Sequence, residues 1–229
     1  MNHAQASPTS LSPEALQREY LRCLLVPDGR GARTLVGEAV AAGVPAATLY
    51  LRVITPAMYE IGRLWETACI SVAQEHLATQ ITQVVIATLS LGLRAPGCLG
   101  TGRLAIVAAT PGELHALGSQ MVADFLEAHG WSVLALGADV PGHEVAGLAR
   151  TRQPDVVALS TALPGHLLSV TRTCQLLRRL PAPPFVVVGG RAYGGDPSRA
   201  SAVGADAFAD DPQSLLEVLS RRFDRHGAR

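Results

Sequence analysis

The residues best placed to do chemistry lie in PGELHALG, residues 111–118, between an apolar run and a periodic one. A neutral imidazole can bind a metal through one ring nitrogen while the other donates a hydrogen bond. His115 is therefore a candidate metal ligand and Glu113 its candidate acceptor. Gly118 would let backbone approach a bulky ligand. The same residues could instead do no more than cap the next helix, and one histidine does not identify a metal. No partners complete a three-ligand zinc set, no GxxxxGK[ST] sequence is present, and the stretch itself has no GxGxxG.

Three further stretches carry polar or permissive residues. STALPG (160–165) supplies the hydroxyls of Ser160 and Thr161, which could hydrogen-bond a polar ligand tail. GGRAYGG (189–195) supplies Gly189 and Gly190, where backbone could lie close to an extended ligand. All four are also ordinary turn formers. In IGRLWETACISVAQEHLAT (61–79), Trp65 ends one helical pattern, and Glu75 and His76 fall in the early turns of the next. Such a junction can pack an aromatic face on an apolar ring while polar groups orient a ligand. A core tryptophan beside two solvent-facing polar residues fits the same pattern.

The elements that must position these residues change character along the chain. Residues 12–92 read as a helical domain of four or five elements. Leu16, Tyr20, Leu24 and Leu25 share one face; Leu35, Ala39, Val40 and Ala42 give a second short pattern that stops near Gly43. Pro56 predicts a kink or restart. Ser71 and Gln74 have the spacing of a capping box, and Gly92 can end that helix. LRAPGCLG (93–100) is the expected linker. Residues 101–225 then alternate strands with helices: RLAIVAAT, WSVLALGAD, DVVALSTAL, FVVVGG and ADAFAD are strand candidates, with helices around 114–129, 142–152, 166–180 and 212–224. Apolar runs such as AIVAA and FVVV suit a parallel sheet covered on both faces. The expected fold is α plus α/β: a helical bundle, then a doubly wound, five-stranded parallel Rossmann-like domain. A flavodoxin-like strand order would set the loops after the first and third strands beside a topological switch, and PGELHALG would then lie at the ligand edge.

Composition narrows the classes. The chain has 229 residues, 48% of them hydrophobic, enough for one large core or two modest ones. Nineteen basic residues balance nineteen acidic ones, so no global charge draws it to nucleic acid or an anionic membrane. Its four cysteines are widely spaced with no CxxC pair and read as reduced thiols. No secretory signal and no uninterrupted apolar run of bilayer-spanning length is visible, which favours the cytoplasm and no membrane partner.

ExHxxG at Glu113, His115 and Gly118, followed by Ser160 and Gly189–Gly190, resembles a cobalamin-binding Rossmann-like domain over most of residues 101–225. The resemblance implies that His115 ligates cobalt from below in place of the cofactor's benzimidazole, that Glu113 supports it, and that Ser160, Gly189 and Gly190 line the tail pocket. Glutamate stands where aspartate is commoner, and Ala162 occupies the leucine position of SxL. With the W-x9-EH pattern of Trp65, Glu75 and His76, nearly the whole chain is similar to the sensory part of adenosylcobalamin light-sensing transcription regulators. That implies Trp65 packing near the upper adenosyl group, Glu75 contacting it, and His76 approaching cobalt after photolysis. Ala68 replaces the glycine common in WxxGxI.

The expectation is a photosensory or regulatory module that binds adenosylcobalamin, forms a homo-oligomer and relays through a protein partner. Residues before Leu11 read as a polar tail without a winged-helix domain, so direct DNA binding is not expected. The alternative is a corrinoid protein of a methyltransferase system, carrying methylcobalamin. No catalytic residues are assigned, because no independent nucleophile–base arrangement is visible. A sensor or carrier is expected rather than a complete enzyme.

Overall fold

The computed structural model describes residues 12–93 and 100–223. They fall into two compact units divided after Leu93. The expected linker, except for Leu93 and Gly100, and Cys98 with it, lie outside the described residues.

The first unit contains α1 (Pro13–Leu25), α2 (Gly29–Ala41), the short α3 (Ala46–Thr48) running into a π-helical segment (Leu49–Ile54), α4 (Thr55–Glu66) and α5 (Val72–Leu93). α1 buries Leu16, Tyr20, Cys23 and Leu24, close to the expected face. α2 differs. It buries Ala32, Val36 and Ala39, while Val40 and Ala42 are exposed. The buried stripe at i, i+4 and i+7 is thus rotated from the expected one, and Val40 turns outward while the equally large Val36 turns in. Pro56 opens α4 inside a helical run that continues unbroken from Ala46 to Glu66, so the expected restart is a change of helix type rather than a new N-terminus. The strain of entering α4 is taken up by the π-helical segment, in which both the N–H and the hydroxyl of Thr55 donate to the Tyr50 carbonyl.

Ser71 and Gln74 form the expected capping box: the Ser71 N–H donates to Gln74 Oε1 at 2.9 Å, and the Gln74 N–H to Ser71 Oγ at 3.3 Å. α5 does not stop at Gly92 but continues through it to Leu93. Inside the bundle, Tyr20 donates to Thr82 Oγ1 and Tyr50 to the Ile86 carbonyl, so both buried phenols are satisfied. α5 is also long and apolar enough to cross a membrane, with a mean hydropathy of 1.3 over its best window. Counting only uninterrupted apolar runs missed it, since Gln80 and Gln83 break the run. Ala78, Thr82, Val85, Ile86 and Leu89 are nonetheless buried within the bundle.

The second unit is a five-stranded parallel sheet: β1 (Leu104–Ala109), β2 (Ser132–Ala135), β3 (Val156–Ser160), β4 (Phe185–Gly189) and β5 (Ala207–Ala209). Its order is β2-β1-β3-β4-β5, all neighbours parallel. Alternate strand residues serve two cores. Ile106, Ala108, Val157 and Val186 meet Val145 and Ala149 of α7 (Gly142–Arg152) and Val170 and Leu177 of α8 (Leu167–Arg178). On the other face Ala105, Val107, Ala158 and Val187 meet Ala123 and Leu126 of α6 (Leu117–Ala128) and Leu215 and Leu219 of α10 (Pro212–Phe223). This double coverage explains the unbroken apolar strands. Sequence reading did not separate out α9 (Pro197–Ala202), and the strands are shorter than expected: 155–163 contracts to Val156–Ser160. The chain leaves β1 toward β2 and later returns across it to β3, so the carboxyl ends of β1 and β3 bound a switch-point crevice.

Candidate functional site

Beyond Ala109, the last residue of β1, the chain turns through Thr110–Ala116 before α6 begins at Leu117. Gly112 adopts φ +85°, and its N–H donates to Asp139 Oδ1 at 2.7 Å. The Asp139 N–H in turn donates to the Glu113 carbonyl at 2.9 Å. These bonds hold the loop from the β2 side and aim Glu113 inward. Its side chain is 0% exposed. Oε1 takes the His115 backbone N–H at 3.2 Å and pairs with His115 Nδ1. Oε2 takes the N–H groups of Ala162 and Leu163 at 2.8 and 3.1 Å and pairs with His166 Nδ1 at 3.3 Å.

Burial alone would raise the Glu113 pKa, but the bonds from His115, Ala162 and Leu163 outweigh it and bring the carboxyl down to about 2. The carboxylate is therefore ionised and an acceptor only, so His115 donates to it from Nδ1, which fixes the tautomer with Nε2 as the acceptor nitrogen. Neither residue caps α6. Its N-cap is Ala116, with no side-chain cap bond. The departure at Ala162 leaves this cluster untouched, because Ala162 contributes backbone N–H alone.

The expected tail-pocket residues gather around the ends of β3 and β4. Ser160 pairs in register with Ala109 and Gly189. A Cβ at Gly118 would stand 2.9 Å from Ser160 Oγ, so glycine is what lets the first turn of α6 sit against β3. Thr161 is fully buried, and its hydroxyl meets Thr110 Oγ1 at 3.2 Å rather than facing outward. Gly190 has φ +108°, and a Cβ there would fall 2.4 Å from the Thr161 carbonyl; at Gly189 it would fall 2.3 Å from the Ala209 carbonyl. Tyr193 adds a buried hydroxyl near Thr161 that makes no hydrogen bond among the described residues. Burial pushes its pKa up.

In the helical unit, Trp65 lies in the last turn of α4 and is 37% exposed. Glu75, in the first turn of α5, accepts from Thr79 Oγ1 at 2.8 Å and pairs with His76 Nδ1 at 2.6 Å. Glu75 is mostly covered and His76 largely open. Both units thus contain imidazoles paired with a carboxylate: His76 with Glu75 in the first, and His115 and His166 with Glu113 in the second.

Sequence reasoning missed His166, Asp139 and Tyr193. His166 and Asp139 reach the Glu113 loop from 53 and 26 positions away, and no local spacing announces either contact. Among the described residues no three His, Cys, Asp or Glu side chains converge as a metal-holding group. The donor set is the Glu113 carboxylate with the imidazoles of His115 and His166 paired to it, at a switch-point crevice with glycine-permitted close packing. Such a set suits a large cofactor that asks the protein for a single metal ligand.

The comparisons agree. The chain belongs to the B12 binding domain family: one family model of that description matches residues 103–219, and a second residues 16–90. It is 33% identical over 156 residues to the HTH-type transcriptional repressor CarH of Myxococcus xanthus, covering 68% of this chain and 51% of that one. The chain thus spans about half the length of that repressor. It is 24% identical over 198 residues to trimethylamine corrinoid protein 1 of Methanosarcina mazei, covering 85% and 89%. Its fold matches the structure of the Methanosarcina barkeri monomethylamine corrinoid protein with a TM-score of 0.82 at 22% identity, over 93% of this chain and 100% of that one.

Proposed function

We propose that the chain is an adenosylcobalamin-dependent light-sensing regulatory module in which loss of the upper ligand changes assembly or partner binding. Bound adenosylcobalamin would supply a cobalt–carbon bond that light can break. His115 would meet cobalt through Nε2, with Glu113 fixing its tautomer and ring direction. Ser160, Thr161 and the close-packed Gly118, Gly189 and Gly190 would receive the tail. Trp65 would pack on the upper group, Glu75 would bond to it, and His76 would stand ready to approach cobalt.

The observation that carries the sensor reading is the Glu75–His76 pair at the start of α5, a few residues after the exposed Trp65. A methyl carrier has no need of a pocket specific to a bulky upper group. The identity to CarH supports the same reading.

The second reading, a corrinoid methyl carrier, is favoured by the near end-to-end match to a trimethylamine corrinoid protein. One experiment separates the two. Light scattering of size-resolved protein, loaded with adenosylcobalamin or methylcobalamin, is recorded before and after green light. The sensor changes mass or shape with the adenosyl form only. No change, together with methyl transfer on adding a methyltransferase partner, overturns it. In the same preparations His115→Ala removes the imidazole coordination signature from the cobalamin spectrum; an unchanged spectrum rejects His115 as the axial ligand.

A further inference from the structure

α5 is apolar on two opposite faces. One face, Ala78, Thr82, Val85, Ile86 and Leu89, is buried in its own bundle. The other carries Ala73, Leu77, Gln80, Val84, Ala87 and Leu91, all exposed; Leu77 and Val84 are each 48% exposed, and Leu91 reaches 84%. These six recur at intervals of four and three, the period of a helix-against-helix seam rather than of a helix lying on a sheet. A surface helix of a soluble protein normally turns a polar face outward. This one does not.

We propose that a second copy of this chain covers that face, α5 packing against α5 in a two-fold contact. Charge identifies the occupant. From His76 to Leu93 the sequence contains no Asp, Glu, Lys or Arg, so two copies can face one another without like-charge repulsion. Gln80 is the single polar residue in the seam, the kind of residue that sets register where two helices meet. Beside the seam, a largely apolar cavity of about 350 Å³ is lined by Val36, Val40, Val44, Val85 and Leu89, with Arg33 of α2 as its one charged wall residue. Among the described residues nothing stands within 4 Å of where a Cβ on Gly92, next to Leu91, would be. Knob and hole lie at the same end of α5, so a two-fold axis running along the paired, parallel helices lets Leu91 of each copy fill the groove of the other. The inference deepens the proposed function by naming the surface through which copies assemble, and rests on that reading only for the use made of assembly.

The test uses the full chain loaded with adenosylcobalamin and kept in darkness, the form in which the proposed function holds copies together; the response to light is read separately, so its failure cannot disguise the result. Sedimentation equilibrium in darkness should show a dimer. Leu77→Glu with Val84→Glu, and separately both positions changed to Lys, should each weaken it by about 100-fold or more. An equimolar mixture of the acidic and basic variants should recover the dimer, because opposite charges then face across the seam. That recovery excludes misfolding as the cause of the loss. A wild-type monomer, whether because the loaded chain covers α5 itself or because the face seats on lipid vesicles instead, overturns the proposal. So does a dimer indifferent to both double variants, or a mixture that stays monomeric.

Discussion

His115 Nδ1 is held by a Glu113 carboxylate that solvent does not reach. Because the remaining lone pairs of Glu113 bind backbone N–H groups from beyond β3, the pair also ties the β1 loop to the β3 loop. The folded pKa of about 2 lies below the ordinary 4.5, so the ionised form stabilises the fold. That contribution, on the order of 3 kcal/mol, is fully present above pH 4.5 and is lost as pH falls toward 2. Glu113→Gln should lower stability at pH 7 by about 2 kcal/mol or more. The gap between variant and wild type should narrow from pH 5 downward in urea titrations. A constant gap would mean that the amide merely fits badly.

Gly190 and Gly43 offer a controlled comparison. Both have positive φ, but a Cβ at Gly43 meets nothing within 4 Å, whereas at Gly190 it collides with the Thr161 carbonyl. Gly43→Ala should cost about 1 kcal/mol for conformation alone. Gly190→Ala should cost about 3 kcal/mol and weaken cobalamin binding, since the β3 and β4 ends must move apart. Chemical denaturation and a spectral titration with hydroxocobalamin measure the two effects. Equal costs at both positions would show that the close approach has no energetic weight.

The parts legible in sequence were those set by local pattern. Apolar strand runs, the Ser71–Gln74 box and ExHxxG each depend on residues within a few positions, and the elements appear where those patterns lie. What stayed hidden depends on contacts across the fold. The buried side of α2, Ala32, Val36 and Ala39, is set by the helices it packs against, and Leu35, Val36 and Val40 are too alike in the sequence to show which of them turns in. The π-helical segment arises because Thr55 doubles its bonds to Tyr50 just before Pro56, and nothing in LYLRVI itself breaks the helical period. Strand order, and with it the neighbourhood of Glu113, His166 and Ala162, follows from crossover packing that no single stretch encodes.

Ala68 is the departure from WxxGxI with a measurable consequence. It sits at φ +56° just past the C-cap of α4, its N–H donating to the Trp65 carbonyl at 2.9 Å and the Cys69 N–H to the Leu64 carbonyl at 2.8 Å. These two bonds make the left-handed helix stop that glycine ordinarily fills. Ala68→Gly should therefore stabilise the protein by about 0.5–1 kcal/mol, relief of the left-handed strain exceeding the added entropy of the unfolded chain. Thermal denaturation measures it. A destabilised variant would indicate that the Ala68 methyl group packs productively at the junction.

The proposed sensor role assigns the choice of upper ligand to Trp65 and Glu75. Trp65 exposes an aromatic face in the last turn of α4, and Glu75 is fixed by Thr79 and His76 so that its carboxylate cannot swing freely. A methyl group is too small to use either; an adenosyl group offers a ring to stack on and polar atoms to bind. In darkness, competition between adenosylcobalamin and methylcobalamin should favour the adenosyl form in the wild type. Trp65→Ala should reduce that preference by about tenfold, as expected for removing an aromatic contact of about 1–2 kcal/mol. Glu75→Gln, which keeps the shape but loses the charge, should reduce it less. Affinity for methylcobalamin should stay nearly constant in both variants, since its binding would rest on His115 and the tail residues. Parallel losses for the two cobalamins would place Trp65 and Glu75 in the stability of the bundle instead, and would favour the methyl-carrier reading.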